Sequence, residues 1–526
     1  VEGVPLILDN LEESEYIEKV RGGRRHRMGL PAAVGGVALL AHQRAGLEWL
    51  EKHWAHGEPG ALLADDMGLG KTLQALAFLA WVKENTEMEP VASGPALVVA
   101  PTGLLRNWED EVTKHLGPNG LGYLLRAYGS ELRELASVTH REQIRRLCDA
   151  DWVATTYETL RDRIQTFIGV RWSVVVFDEI QKIKNPAARM TEMAKAVAAE
   201  FVLALTGTPV ENRLADLWSI VDTVHPGFLG SLKEFHQGYE KPAAEDATAA
   251  APLSQKLLSK GIDGAPALML RRLKEDHLEG LPEKTEHLIE RPMPVEQVTA
   301  YDAVLARASG ADGKGLLPIL MALRRVSLVA GELGAEGLTD GHVRGSARLS
   351  AMVDVLDKIQ SRGEKALVFV EFLDLQQALV PYLQSRYDLD QPPLRISGGV
   401  AGVRRKQRVD EFQGRPEGEF DVMLLSPKAG GVGLTLTAAN HVIHLTRWWN
   451  PAVEDQCTDR VYRIGQTRPV HVHYPVAVHP RLGERSFDHN LHALLMRKRE
   501  LSRTVLAPPI ATDDDIAALY EASVGV

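Results

Sequence analysis

LLADDMGLGKT, residues 62–72, is the stretch from which the rest of this 526-residue chain can be read. An apolar run, ALLA at 61–64, stops at two aspartates; Gly68 and Gly70 follow, and from Leu73 to Val82 apolar residues recur at helical spacing. A strand that turns through glycines into a helix is the setting of a phosphate-binding loop. The glycines let successive backbone N–H groups face phosphate oxygens, and the helix N-terminus adds partial positive charge. On this pattern Asp66, Met67, Gly68, Leu69 and Gly70 line the phosphates of a nucleotide, Lys71 reaches its β- and γ-phosphates, and Thr72 places a hydroxyl on Mg²⁺. The general GxxxxGK[ST] pattern has glycine where this chain has Asp65. A glycine-rich turn with a solvated lysine is the plain alternative.

Outward from the loop, short apolar runs alternate with helical patterns over 38–229: ALVVA before Pro101, WVATT, WSVVVFDE and FVLALTG. Strands that each end where polar residues begin predict a doubly wound parallel sheet. The run Trp172 to Phe177 ends in Asp178-Glu179-Ile180-Gln181. Carboxylates at the C-terminal edge of such a strand stand where open α/β sheets bind ligands. Asp178 then holds Mg²⁺, largely through its water shell, and Glu179 orients or deprotonates the attacking water. Alone, an acidic pair after a strand is most often a solvated turn; the phosphate loop upstream gives this one a chemical partner.

The alternation stops over 230–345, where Ala- and Gly-rich stretches separate helical pieces, which predicts a helical insertion. It resumes over 346–480 with KALVFVEF, PLRIS, FDVMLLS and HVIHL, a second α/β lobe. Within it Gln456, Arg460 and Arg463 are spaced four and three apart, which predicts one helix face. Arginine suits charge developing on a transferred phosphoryl group, because its rigid fork stays protonated; an exposed basic face is the alternative. Residues 1–37 are a lead-in segment with an acidic run, Glu12 to Glu18, and a basic one, Arg21 to Arg27; 481–526 form a C-terminal helical brace and tail, with a helix expected near 489–502.

Composition bounds these expectations. A length of 526 residues predicts about three or four units. At 45% hydrophobic and 25% charged residues the chain is globular. No apolar segment of roughly 20 residues and no signal pattern are present, so a cytoplasmic protein without a membrane span is expected. The net charge of −10 leaves the partner open, since phosphate affinity depends on local Lys and Arg clusters. Cys148 and Cys457 lie far apart and are expected to be buried or inert. His471 and His473 alternate as strand residues do and lack partners in the sequence, so no zinc site is expected. The chain starts at Val1 rather than Met, which sets the expectation of a missing N-terminal domain.

Taken in order, LLAHQRAGLEWL (39–50), LLADDMGLGKT (62–72), APTGLLRNW (100–108), TTYETL (155–160), DEIQKIKNP (178–186), LTGTPVENRLADLWSI (205–220), SPKAGGVGLTLTAANHVIHLTRWWNPAVEDQ (426–456) and DRVYRIGQTRP (459–469) resemble the motifs of the SNF2 family of helicase superfamily 2. The resemblance covers roughly 38–470, and Asp65 in place of glycine is common in the family. It implies an α/β fold with two RecA-like lobes, a helical insertion between them, and a DNA-stimulated ATPase that uses ATP and Mg²⁺ to translocate on double-stranded DNA.

By position, the resemblance implies that Gln43 reads the adenine edge. It makes Gly433 and Gln456 approach the nucleotide, and Arg460 and Arg463 act as arginine fingers supplied across the cleft from the second lobe. Thr206, Gly207 and Thr208 link the nucleotide to lobe movement. Pro101, Thr102, Thr206, Gly207, Ser426, Lys428, Gly430 and Thr435 fall in segments that contact the DNA backbone, which implies little sequence readout. Trp448 and Trp449 match the family's WNP segment, with a packing role at least as well founded. Ile180-Gln181 departs from the family's commoner Ala-His or Ala-Gln ending, and LRRVSLVA (323–330) lacks the cysteine-and-histidine version of eukaryotic remodellers; by resemblance both point to a bacterial branch.

Bacterial members serve in RNA polymerase recycling and in anti-phage defence systems such as Zorya and DISARM. The lack of a polymerase-binding module favours defence, with protein partners in such a complex. A strand-separating DNA or RNA helicase, and a scaffold with a degenerate ATPase fold, remain the other readings.

Overall fold

A computed structural model describes residues 10–11, 27–34, 36, 38–86, 94–117, 120–210, 213–245, 247–261, 264–277, 281–308, 316–331, 333, 337–398, 400, 402–427, 434–505 and 513–524. The chain divides into two compact units, residues 1–278 with 501–508, and residues 279–500 with 509–526.

The first unit is built on a seven-stranded sheet. Its strands are β1 (Gly60–Leu63), β2 (Ala96–Val99), β3 (Leu124–Ala127), β4 (Trp152–Thr155), β5 (Trp172–Asp178), β6 (Ala199–Leu205) and β7 (Met269–Leu270). They lie in the order β3-β4-β2-β5-β6-β1-β7, every pair parallel. Helices cover both faces of such a sheet, so its inner strands read as unbroken apolar runs, and all seven residues of β5 are buried. On one face Trp54, Phe78, Trp81 and Phe201 pack ring against ring at 5.2–6.4 Å, joining the helices Ala41–His56 and Lys71–Thr86 to β6. Removing a buried ring of this kind costs about 3–5 kcal/mol.

The register decides which loops meet. Leu205 pairs with Leu63 on one side and with Asp178 on the other. The segments that leave β1, β5 and β6 therefore start side by side at one sheet edge.

The second unit holds a six-stranded parallel sheet in the order β10-β11-β9-β12-β13-β8. Its strands are β8 (Lys284–Pro292), β9 (Lys365–Phe369), β10 (Leu394–Ile396), β11 (Asp421–Leu425), β12 (His441–His444) and β13 (Val470–Val478). Leu425 and His444 both pair with Phe369, so Ser426 and the segment from Leu445 leave from neighbouring positions. The interior is unusually ionic. Arg447 grips Glu454 with two hydrogen bonds of 2.8 and 3.0 Å and stacks over Tyr474, Arg499 pairs with Asp455 at 2.7 Å, and Arg348 pairs with Asp488 at 3.3 Å. Charges buried at this depth persist only when paired and hydrogen-bonded. Trp449 packs edge-on against Phe487 and under the Arg324 guanidinium, which is a packing role.

Some local expectations change. The stretch 230–345 contains helices, among them Ala251–Leu258, Val295–Ala308 and Leu316–Val326, but it also supplies β7 to the first sheet and β8 to the second. Leu288 and its alternate neighbours give β8 no continuous apolar run, because as an edge strand it is only partly covered. β3 was likewise too short and too polar at Arg126 to stand out. The tail adds a helix over Asp513–Val524 beyond the one at Phe487–Val505. Cys457 is buried, but Cys148 is exposed, because it ends an amphipathic surface helix rather than facing the core. Among the described residues no helix is long and apolar enough to cross a membrane.

Candidate active site

The phosphate loop joins β1 to the helix that opens at Lys71. Gly70 has φ 77°, and a Cβ there would lie 2.4 Å from the Gln43 amide nitrogen. Only glycine satisfies both constraints. Gln43 is itself engaged: its oxygen accepts from the Leu40 amide at 3.0 Å and its nitrogen donates to the Leu69 carbonyl at 3.3 Å. His42 also bonds the Leu69 carbonyl, at 2.9 Å, so the start of the helix Ala41–His56 holds the crest of the loop.

Asp65 explains the departure from the general pattern. It is fully buried and forms an ion pair with Arg272, whose Nε donates to Oδ1 at 2.9 Å. The same guanidinium donates to Gln74 Oε1 at 2.8 Å and to the His42 carbonyl. The segment after β7 also donates from Lys274 N to Asp66 Oδ2 at 3.2 Å, and the Arg272 carbonyl accepts from Asp66 N at 2.9 Å. A residue more than 200 positions downstream thus clamps the loop, and the sequence carried no signal for it beyond an arginine after a short apolar pair.

Lys71 Nζ donates to the Asp65 and Asp66 carbonyls at 2.6 and 3.1 Å. Burial pushes the ammonium down from its ordinary range, against the charges of Asp65, Glu179, Asp66 and Asp178, which favour the cation. Asp178 and Glu179 end β5. Asp178 Oδ2 accepts from the Trp108 indole at 2.8 Å and Oδ1 from the Glu179 amide at 3.0 Å, while Tyr157 donates its hydroxyl to the Asp178 carbonyl at 2.9 Å. Burial, reinforced by the Glu179 charge, raises the Asp178 carboxyl to about 6; Trp108 and Lys71 oppose the shift. The segment APTGLLRNW does not by itself mark Trp108 as part of the site; the fold brings its N–H to the acid pair.

Glu179 has φ 53°, left-handed backbone that a glutamate adopts at a cost, and such strain is concentrated at functional positions. Its Oε2 accepts from Gln181 at 2.6 Å, Gln181 Oε1 accepts from the Thr206 hydroxyl at 2.9 Å, and Thr206 Oγ1 accepts from the Thr208 amide at 3.0 Å. A Cβ on Gly207 would stand 2.8 Å from Met67 Cγ and 3.7 Å from Lys71 Nζ. The turn after β6 therefore touches both the acid pair and the phosphate loop. Thr72 is half-buried at the second position of its helix; Pro101 and Thr102 begin the helix Thr102–Leu116 that carries Trp108.

This donor set fits a nucleotide with a divalent cation. A glycine loop at a helix N-terminus, a lysine poised over it, and a carboxylate oriented through both oxygens supply complementary charge for phosphates and Mg²⁺.

In the second unit the helix Pro451–Thr458 carries Gln456 and then stops. Arg460 and Arg463 lie in the turns beyond it, so the three do not share one helix face. Beyond the helix the Arg460 carbonyl accepts from Leu436 N at 2.9 Å, and Gly465 has φ 97°. Both arginines nonetheless converge on the Leu434 carbonyl, at 3.5 and 3.3 Å, with Arg460 only 1% exposed. Ser426 follows β11 and donates its amide to Ile396 at 2.9 Å; Thr435 lies one residue after Leu434. Lys428, Gly430 and Gly433 lie outside the described residues.

Comparison with known proteins bears on the same segments. The family described as SNF2-related domain matches residues 42–329, and the one described as helicase conserved C-terminal domain matches 347–465. The chain is 35% identical to "Zorya protein ZorD" of Escherichia coli O139:H28, over 98% of this chain and 49% of that protein. It is 33% identical to "Putative ATP-dependent helicase/translocase YwqA" of Bacillus subtilis, over 83% of this chain and 46% of that protein. A solved structure titled "Sulfolobus solfataricus SWI2/SNF2 ATPase core in complex with dsDNA" is 29% identical and covers 90% of this chain and 94% of that one, at a TM-score of 0.43. The chain spans about half the length of the curated relatives it matches.

Proposed function

The chain belongs to the SNF2 family of helicase-like ATPases, and from that membership we propose that it hydrolyses ATP with Mg²⁺ and converts the cycle into movement along double-stranded DNA. Lys71 holds the terminal phosphates, the backbone from Asp66 to Gly70 cradles them, and Gln43 meets the adenine. Thr72 and Asp178 would hold Mg²⁺, which would supply positive charge against the phosphates. Glu179 orients or deprotonates the attacking water, and Gln181 and Thr206 keep its carboxylate aimed. Arg460 and Arg463 supply guanidinium charge to the transferred phosphoryl group, and Gly433 and Gln456 complete the nucleotide contacts. Pro101, Thr102, Thr206, Gly207, Ser426, Lys428, Gly430 and Thr435 meet DNA phosphates, so binding is indifferent to sequence and falls with salt.

The observation that carries this proposal is the register Leu63–Leu205–Asp178, which sets the lysine loop, the acid pair and Thr206 on one sheet edge. Anti-phage defence in the cytoplasm, with protein partners, is the biological setting we favour. Its support is the 35% relative that bears the name Zorya, one of the defence systems in which bacterial members of the family serve.

Phosphate release measured with and without duplex DNA tests the activity. Wild type is expected to be stimulated by the duplex, Glu179→Gln to bind ATP while losing about 10²–10⁴ in turnover, and Arg463→Ala to lose about 10³–10⁵. Wild-type turnover in either variant removes that residue from the chemistry, and no release with any duplex refutes the activity.

A further inference from the structure

Strand β8 (Lys284–Pro292) ends the second sheet: nine residues long, it pairs with β13 on one side, and among the described residues no strand lies beyond it. Its bonds to β13 fix which groups look outward. Glu283 O accepts from Val470 N at 2.8 Å, and Met293 N donates to Val478 O at 2.9 Å, so the odd-numbered residues turn their backbone groups toward β13. Those of the even-numbered residues point away from the sheet. Neither the N–H nor the C=O of Glu286, Leu288 or Glu290 has a partner among the described residues. Such an edge is a template for another strand.

Two common ways of blunting an edge are missing here. The register with β13 runs residue for residue from Lys284 to Pro292, so no bulge twists the strand away, and the only proline stands at its end. Leu288, at the middle, is 41% exposed, and Glu286 and Glu290 on either side of it are exposed as well.

The order of charges selects the occupant. From Glu283 the strand reads EKTEHLIER, and its two ends mirror each other in sign: Glu283-Lys284 at one, Glu290-Arg291 at the other. Laid antiparallel on a second copy, with the two-fold axis at His287, Lys284 of each copy faces Glu290 of the other and Glu283 faces Arg291. Opposite charges placed so are stabilising, and like charges are not. An axis one residue earlier sets Glu286 against Glu286, and one residue later sets Glu286 against Glu290 twice. Both adjacent registers are therefore repelled, and the pairing about His287 is singled out. The side chains already make surface contacts: Lys284 lies 3.6 Å from Glu286, Glu290 lies 3.3 Å from His489, and Arg291 pairs with Asp354. Contacts of that kind are weak and leave the carboxylates free lone pairs for a facing strand.

We propose that two copies of this chain join edge to edge along β8, antiparallel about a two-fold axis at His287, so that the sheets of the two second units become one. The outward N–H and C=O groups of Glu286 and Leu288 exchange hydrogen bonds with those of Leu288 and Glu286 in the other copy, and the charged ends fix the register. One strand per copy buries less than the roughly 1,200 Å² of a stable interface, so the dimer is weak and reversible.

Sedimentation of the full chain at concentrations up to the order of 100 µM is expected to show a monomer–dimer equilibrium that weakens as salt rises. Lys284→Glu and Glu290→Lys each set like charges opposite at two places and are expected to weaken association by about tenfold or more. The double variant Lys284→Glu/Glu290→Lys restores opposite charges and is expected to return to within about threefold of wild type. Cross-linking reads the register. His287 faces the His287 of the second copy as a non-hydrogen-bonded pair, with Cα atoms about 4.5 Å apart, which a disulfide spans. With the exposed thiol removed by Cys148→Ser, His287→Cys is expected to link two chains on mild oxidation, whereas Thr285→Cys, which faces Ile289, is not. A chain that stays monomeric at the highest concentration, single variants that associate like wild type, a double variant no better than the singles, or equal cross-linking at 285 and 287 overturns the proposal.

Discussion

Arg272→Met is the most informative single perturbation of the first unit. The side chain is 8% exposed, Asp65 is fully buried, and the guanidinium also serves Gln74 and the His42 carbonyl. Methionine fills the stem but leaves Asp65 as an uncompensated buried charge, which costs about 3–5 kcal/mol. For a unit of this size each kcal/mol moves the midpoint by about 2–4 °C, so calorimetry is expected to show a fall of roughly 6–20 °C in one of two transitions. ATP affinity falls with it, because Asp65 and Asp66 set the carbonyls that hold Lys71. The double variant Asp65→Gly/Arg272→Met removes both charges and is expected to recover much of the loss, since a buried pair is worth little against its neutral replacement. A loss below about 1 kcal/mol for Arg272→Met, or a double variant as unstable as the single, refutes the clamp.

Two further outcomes follow from the titrating groups. Trp108→Phe deletes a hydrogen bond to a buried carboxylate, so Asp178 rises further above its ordinary range; the acid limb of Mg²⁺–ATP binding is expected to move to higher pH, and an unmoved limb refutes the role of the indole. In the second unit burial lowers His444 and His492 to about 4 and His473 to about 3. Folded values below the unfolded one mean that the unfolded chain binds more protons in acid. Stability is therefore full above about 6.5 and is lost as pH falls toward 4, by up to roughly 1.4 kcal/mol per pH unit for each group. Calorimetry between pH 7 and 5 is expected to show this unit's transition falling, and a flat midpoint refutes the neutral, buried assignment.

The strands that carry the site were legible because a parallel sheet covered on both faces writes itself as apolar runs, and because a glycine loop and an acid pair occupy consecutive positions at the ends of two of them. Local grammar of that kind is complete within a dozen residues. The edge strands β7 and β8 were not legible, since a two-residue strand and a half-exposed one have no period to detect. The helix expected to align Gln456, Arg460 and Arg463 ends at Thr458, and the turns beyond it are tied by a backbone bond from Leu436 to Arg460, a contact between distant residues that spacing alone does not reveal.

What the sequence by itself determined is the chemistry on offer: a lysine after a glycine turn, two carboxylates after a buried strand, arginines late in the second unit. What only the tertiary structure decided is which distant groups complete each of these. Arg272 neutralises Asp65, Trp108 steadies Asp178, and three strands gather His287, His441, His471 and His473 onto one face. Such partners are set by strand order and register, and contacts between residues tens or hundreds of positions apart leave no periodic mark on the chain.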